Sequence, residues 1–100
     1  MTRNEKPINA SNGMSWLPGG VLYQWGSGTT TNGGATSNGA ASFSPAFTGL
    51  YTINISVLEP TNSRRFVKVA TQSISGFTCW IQDDTGANKA NTFYWTAIGF

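Results

Sequence analysis

Between Tyr51 and Val57 apolar and polar residues alternate one for one: Tyr51, Ile53, Ile55 and Val57 against Thr52, Asn54 and Ser56. A period of two sends alternate side chains to opposite faces of an extended backbone, so this segment is predicted as a half-buried β-strand. Other segments read the same way. Val21 to Trp25 follows Pro18-Gly19, a pair suited to the centre of a type II turn. Phe66, Val67, Val69 and Ala70 form a further strand, with Lys68 facing out. Ile74 to Gln82 contains Gly76, where a bulge or sharp bend is expected, and Thr92 to Phe100 is the last strand. The clusters at Glu59–Ser63 and Asp83–Gly86 are turns, with residues 87–91 continuing the second. This gives five strands, six at most, and no helix.

The remaining segments are polar. Residues 1–13 end in Asn12-Gly13 and read as a tether or lead-in, leaving residues 14–100 as one β-domain. Residues 26–42 are almost wholly Gly, Ser, Thr, Asn and Ala, which predicts a long exposed loop or loose hairpin. Phe43 and Phe47 flank Pro45 and are expected to cover one end of the core.

The last strand departs from a simple half-buried pattern. Phe93, Trp95 and Ala97 face one way, while Tyr94, Thr96, Ile98 and Phe100 face the other. A strand with one solvated face is normally polar on that side. Val21-Leu22-Tyr23-Gln24-Trp25 shows the same doubling. A second buried surface, most simply a subunit interface, accounts for both. Leu17, Val21, Trp25, Phe93, Trp95, Ile98 and Phe100 are therefore expected to serve the core or that interface.

Composition narrows the class. The chain has 100 residues, enough for one modest core. Charged residues are only 10%, against roughly 25% in average soluble domains. Thr, Ser, Asn and Gly together supply 44 positions, which excludes a helical bundle, and 13% aromatics argue against disorder of the whole chain. The expected fold is all-β: a small antiparallel β-sandwich or partly open barrel. A net charge of +2 is too weak a field for phosphate-driven nucleic-acid binding, and no apolar run is long enough to insert in a membrane.

The chemistry available is narrow. There is no histidine, so neither a Ser–His–Asp nor a Cys–His arrangement can be assembled within the chain. Cys79 lies between Thr78 and Trp80 in an apolar strand and reads as a buried thiol. Zinc lacks ligands, and Asp83-Asp84-Thr85-Gly86 lacks the alternating acids of a calcium loop. Neither catalysis, a metal nor a cofactor is expected. Binding is better supported. Trp80 beside the Asp83-Asp84 turn, and Tyr94 after Asn88-Lys89, either pack in the core or an interface or offer aromatic faces near amide and charged groups, a combination suited to sugars.

Read together, the ends of the chain resemble a known family. Leu17-Pro18-Gly19-Gly20-Val21-Leu22-Tyr23-Gln24-Trp25-Gly26 resembles the opening segment of small C-terminal domains of bacteriophage tail fibres. Ser44-Pro45-Ala46-Phe47, Ser75-Gly76-Phe77-Thr78 and Tyr94-Trp95-Thr96-Ala97-Ile98-Gly99-Phe100 resemble its later elements, in the expected order. Thr96 and Phe100 depart mildly from the apolar residue and the Tyr usual there. The resemblance implies a homotrimeric, β-structured tip at the distal end of a virion's tail fibre, joined to an upstream shaft and acting outside the host cell. Its implied ligand is lipopolysaccharide glycan or an outer-membrane protein; a capping domain that only registers the three chains is the alternative.

Ligand contact is expected on loops rather than on the motif segments. Residues 59–65 bring Arg64 and Arg65, suited to an anionic group. Residues 83–91 bring Asp83, Asp84, Asn88 and Lys89, flanked by Trp80 and Tyr94. Binding energy concentrates on aromatic and Arg anchors, so both segments rank above residues 27–42.

Overall fold

The alternating segments fold into seven strands, in a computed structural model that describes residues 12–100. They are β1 (Gly13–Leu17), β2 (Val21–Thr29), β3 (Gly39–Ser42), β4 (Leu50–Leu58), β5 (Phe66–Ser73), β6 (Gly76–Gln82) and β7 (Thr92–Gly99). All pairings are antiparallel. They make a four-stranded sheet in the order β1-β2-β7-β4 and a three-stranded sheet in the order β3-β6-β5. β2 packs over β3 and β4 over β5, so the sheets form a sandwich in which β1 overhangs the smaller layer. Of the two architectures expected, the sandwich is the one found.

Between the sheets lies an aromatic core. Phe93, Trp95 and Ala97 of β7 point inward and are buried, as alternation predicts. Trp95 meets Phe43 and Phe77 edge-on, with ring centroids 5.5 and 5.8 Å apart. Phe77 reaches Phe93 at 6.4 Å, and Phe43 meets Phe47 at 4.9 Å. Edge-to-face contact sets the positive rim of one ring against the negative face of the next. Phe43 and Phe47 close one end, as expected, and Gln24 fixes their loop. The Gln24 amide donates to the Pro45 carbonyl (2.7 Å) and accepts from the Ser44 N–H (3.1 Å). Gly26 lies beneath Trp95, where a Cβ would come within 2.7 Å of the indole. Cys79 is fully buried, and burial raises its thiol pKa above the ordinary value.

The structure corrects the sequence reading in several places. There are seven strands rather than five or six. Residues 26–42 are largely ordered: β2 continues to Thr29, Thr30 and Asn38 are buried, and β3 pairs with β6. The expected lead-in lies outside the described residues except at its end, where Gly13 opens β1. At Gly76 the sharp bend is found and the bulge is not: Ile74 and Ser75 form a tight turn between Ser73 of β5 and Gly76, which begins β6, and the bulge-like irregularities are between Val69 and Thr71 and between Leu50 and Thr52. The second of these breaks the alternation of β4. Tyr51 is thrown outward, 64% exposed, and rests on Phe100 with ring centroids 5.4 Å apart.

The second apolar face is where the sequence located it. Tyr23 and Trp25 neighbour each other at 5.8 Å on the outer side of the larger sheet. Tyr94, Ile98 and Phe100 share that side, with Tyr94 half-exposed. Leu17 and Val21 lie at its margin, Leu17 exposed and Val21 half-buried.

Trp95→Ala is expected to lower the unfolding free energy by about 3–5 kcal/mol, through lost transfer energy and an unfilled cavity. Urea denaturation followed by circular dichroism checks it; an unchanged midpoint would place the indole outside the core.

Candidate functional site

β2, β4 and β6 all run toward the same end of the sandwich, so the loops 30–38, 59–65 and 83–91 converge there. Backbone groups in such loops have no ladder to join, and buried ones must find side-chain partners. Three buried polar residues provide them. The Asn38 amide donates to the carbonyls of Thr31 (3.0 Å) and Ile81 (2.8 Å), and its oxygen accepts from the Ile81 N–H (2.8 Å). The Thr30 hydroxyl donates to the Lys89 carbonyl (2.6 Å) and accepts from the Asn91 N–H (2.8 Å). The Asn91 amide donates to the Leu58 carbonyl (3.0 Å) and to Glu59 Oε1 (2.9 Å).

Onto this base the loops set their charges. Arg65 Nε donates to Asn91 Oδ1 (2.8 Å), and Arg65 Nη2 lies 3.1 Å from Glu59 Oε1. Both side chains of that ion pair are largely buried, 15% and 13% exposed. Across from them Lys89 Nζ lies 3.5 Å from Asp83 Oδ2. Asp83 Oδ1 also accepts from the Thr85 hydroxyl (2.6 Å), the Thr85 N–H (2.9 Å) and the Ala87 N–H (3.1 Å), closing the turn. Asn62, Ser63, Arg64 and Arg65 form one wall of an open cleft of about 410 Å³; Asp83, Asp84 and Lys89 form the other. Arg64 is exposed, and among the described residues no carboxylate pairs with its guanidinium.

Thus Arg64, Arg65, Asp83, Asp84 and Lys89 come together in one cleft. The other three candidates do not join them. Asn88 is committed to the neighbouring loop: its amide donates to the Gly34 carbonyl (3.1 Å) and accepts from Gln82 (3.0 Å). Trp80 is half-buried on the outer side of the smaller sheet, opposite Lys68. Tyr94 lies on the outer side of the larger sheet, between Ser27 and Ser56. The two rings expected to flank one turn therefore stand on opposite surfaces, because β6 and β7 belong to different layers. The residues that organise the site, Thr30, Asn38, Glu59 and Asn91, were not singled out from the sequence. Their only signal was a polar residue beside a strand end. Among the described residues no three Cys, Asp or Glu side chains converge as metal ligands.

Two carboxyls are strongly acidified. The Thr61 hydroxyl and the Asn91 amide, with Arg65 beside them, lower the Glu59 pKa to about 2. The Thr85 hydroxyl, backbone N–H groups and Lys89 lower that of Asp83 to about 2.

The family described as "Putative tail fiber protein gp53-like, C-terminal" matches residues 16–100, from the exposed Trp16 of β1 to Phe100, just past β7. This is a tail-fibre C-terminal domain. The chain belongs to that family, and through it to the tail fibre of a bacteriophage virion. No curated protein matches the sequence.

The acidified carboxyls make stability pH-dependent. Their folded pKa values lie below the ordinary range near 4, so their contribution is full above that range. It is lost as pH falls from about 4.5 toward about 2. Melting temperatures are expected to be level from pH 7 to about 5 and to drop below it, and Glu59→Gln should flatten that drop. A wild-type curve level down to pH 2 would contradict it.

Proposed function

We propose that this domain is the receptor-binding tip of its tail fibre and contacts the host surface through the Arg64 cleft. The convergence of two charged loops on a buried polar base carries the reading. Most of the cleft's ionic groups already neutralise one another, whereas Arg64 on one wall and Asp84 on the other are open to solvent. Arg suits a surface phosphate or sugar carboxylate, because its planar fork presents paired donors. A binding role without catalysis fits a chain that has four carboxylates and no histidine.

We also propose that three copies assemble through the outer side of the larger sheet. Tyr23, Trp25, Tyr94, Ile98 and Phe100 there make an apolar surface of the kind that stable oligomers cover. Trimeric display would multiply weak single-cleft contacts by avidity. This same surface favours the second reading, a cap that only registers the chains. The two part at the cleft, which a cap does not need.

Arg64→Ala is expected to cut adsorption of the labelled domain to host cells about tenfold, roughly 1.4 kcal/mol, with unchanged melting. Undiminished adsorption would remove Arg64 from the contact; no adsorption by the wild type would favour the cap. Light scattering should give three times the 10.7 kDa chain mass at micromolar concentration. A monomer mass throughout would defeat the assembly, and Tyr94→Asp should lower the mass if this face is the seam.

A further inference from the structure

A second recessed surface lies along the flank, and its chemistry differs from that of the charged cleft. Beside the start of β1, a pocket of about 250 Å³ opens between β2 and the edge of β3 that no described strand pairs with. Its lining carries no charged residue; Gln24, Ser27, Ser42 and Ser44 supply the polar groups and Trp95 one wall. Trp95 is only 5% exposed, and its Nε1–H is buried with no acceptor among the described residues. An unmade hydrogen bond of this kind is unfavourable, and an incoming acceptor can make it. Asn12, held by one exposed hydrogen bond from the Ser27 N–H (3.2 Å), closes the pocket above Gly26.

β3 adds to this. Phe43 N–H bonds the Ser75 carbonyl on the β6 side, so antiparallel alternation turns the backbone of Ala40 and Ser42 to the open edge. Beyond that low ridge lies a second cleft of about 370 Å³, also without a charged residue, which shares Ala40, Ala41 and Ser42 with the first. The pocket alone is smaller than the roughly 300–1,000 Å³ of drug-sized sites. It suits one ring, and the adjoining cleft suits the next.

We infer that the β3 edge binds a neutral, hydroxyl-rich glycan, one sugar entering the pocket beside β1 and offering an oxygen to Trp95 Nε1. Both clefts lack the charges an ionic ligand needs, and the small side chains of β3 let a ring approach the backbone. The inference deepens the receptor reading and rests on it only for where such a glycan would be met.

The test is an NMR titration of the isotope-labelled full chain with methyl glycosides of glucose, galactose and their N-acetylated forms, then lactose and maltose. The chain has four Trp, and the Trp95 indole signal is identified by its loss in Trp95→Phe. At least one neutral sugar should move the Trp95 indole and Ser42 amide signals at millimolar concentration, and Ser42→Trp, on an exposed edge, should weaken that response at least about tenfold. If none moves them, or Ser42→Trp binds like wild type, the inference is overturned. Failure here with host adsorption intact would leave the receptor reading standing; sugar binding without adsorption to any cell would do the reverse.

Discussion

The side-chain amide of Asn38 is the contact on which the loop end of the sandwich depends. It reaches across the β2–β3 loop and joins Thr31 to Ile81 by hydrogen bonds of 3.0 and 2.8 Å. Thr30 and Asn91 extend the same service to β7 and to the end of β4. Sheets satisfy their own backbone, but loops across the open end of two layers cannot pair with one another. Without such a base, residues 59–65 and 83–91 would be separate strand connections. With it, they become the two walls of one cleft.

Packing and polarity are thus divided by location. The apolar rings of Phe43, Phe77, Phe93 and Trp95 hold the layers together near the middle and at one end. At the other end hydrogen bonds replace them. A buried polar network is stable when its members are satisfied, and here each buried amide has several partners. Among the described residues the exception is Trp95 Nε1, and it occurs beside a pocket.

Much of the fold was legible because two strong signals agreed. The alternation of β4 and β7 fixed which side chains face the core, and the doubled apolar faces of β2 and β7 located the outer aromatic surface. The misreadings have definite causes. A one-residue bulge inverted Tyr51 relative to Ile53, and periodicity carries no mark of a bulge. Gly39-Ala40-Ala41-Ser42 forms a strand with little apolar signal because it is an edge strand against larger neighbours; a Cβ at Gly39 would come within 2.7 Å of Thr30. Thr30 and Asn38 are polar in composition yet buried, so polarity alone placed them outside. The charged half of the site was legible from two polar turns. The separation of Trp80 from Tyr94 was not, since sequence does not state which strands share a layer.

The division between loop bases and loop tips also bears on how the proposed receptor contact can change. Asn38, Thr30 and Asn91 hold the bases from within, while Ala35, Thr36, Asn62 and Asp84 at the tips are exposed. Exposed substitutions away from structural contacts usually alter stability by less than about 0.5 kcal/mol. Selection can therefore rewrite the tips one residue at a time while the scaffold stays above its folding threshold.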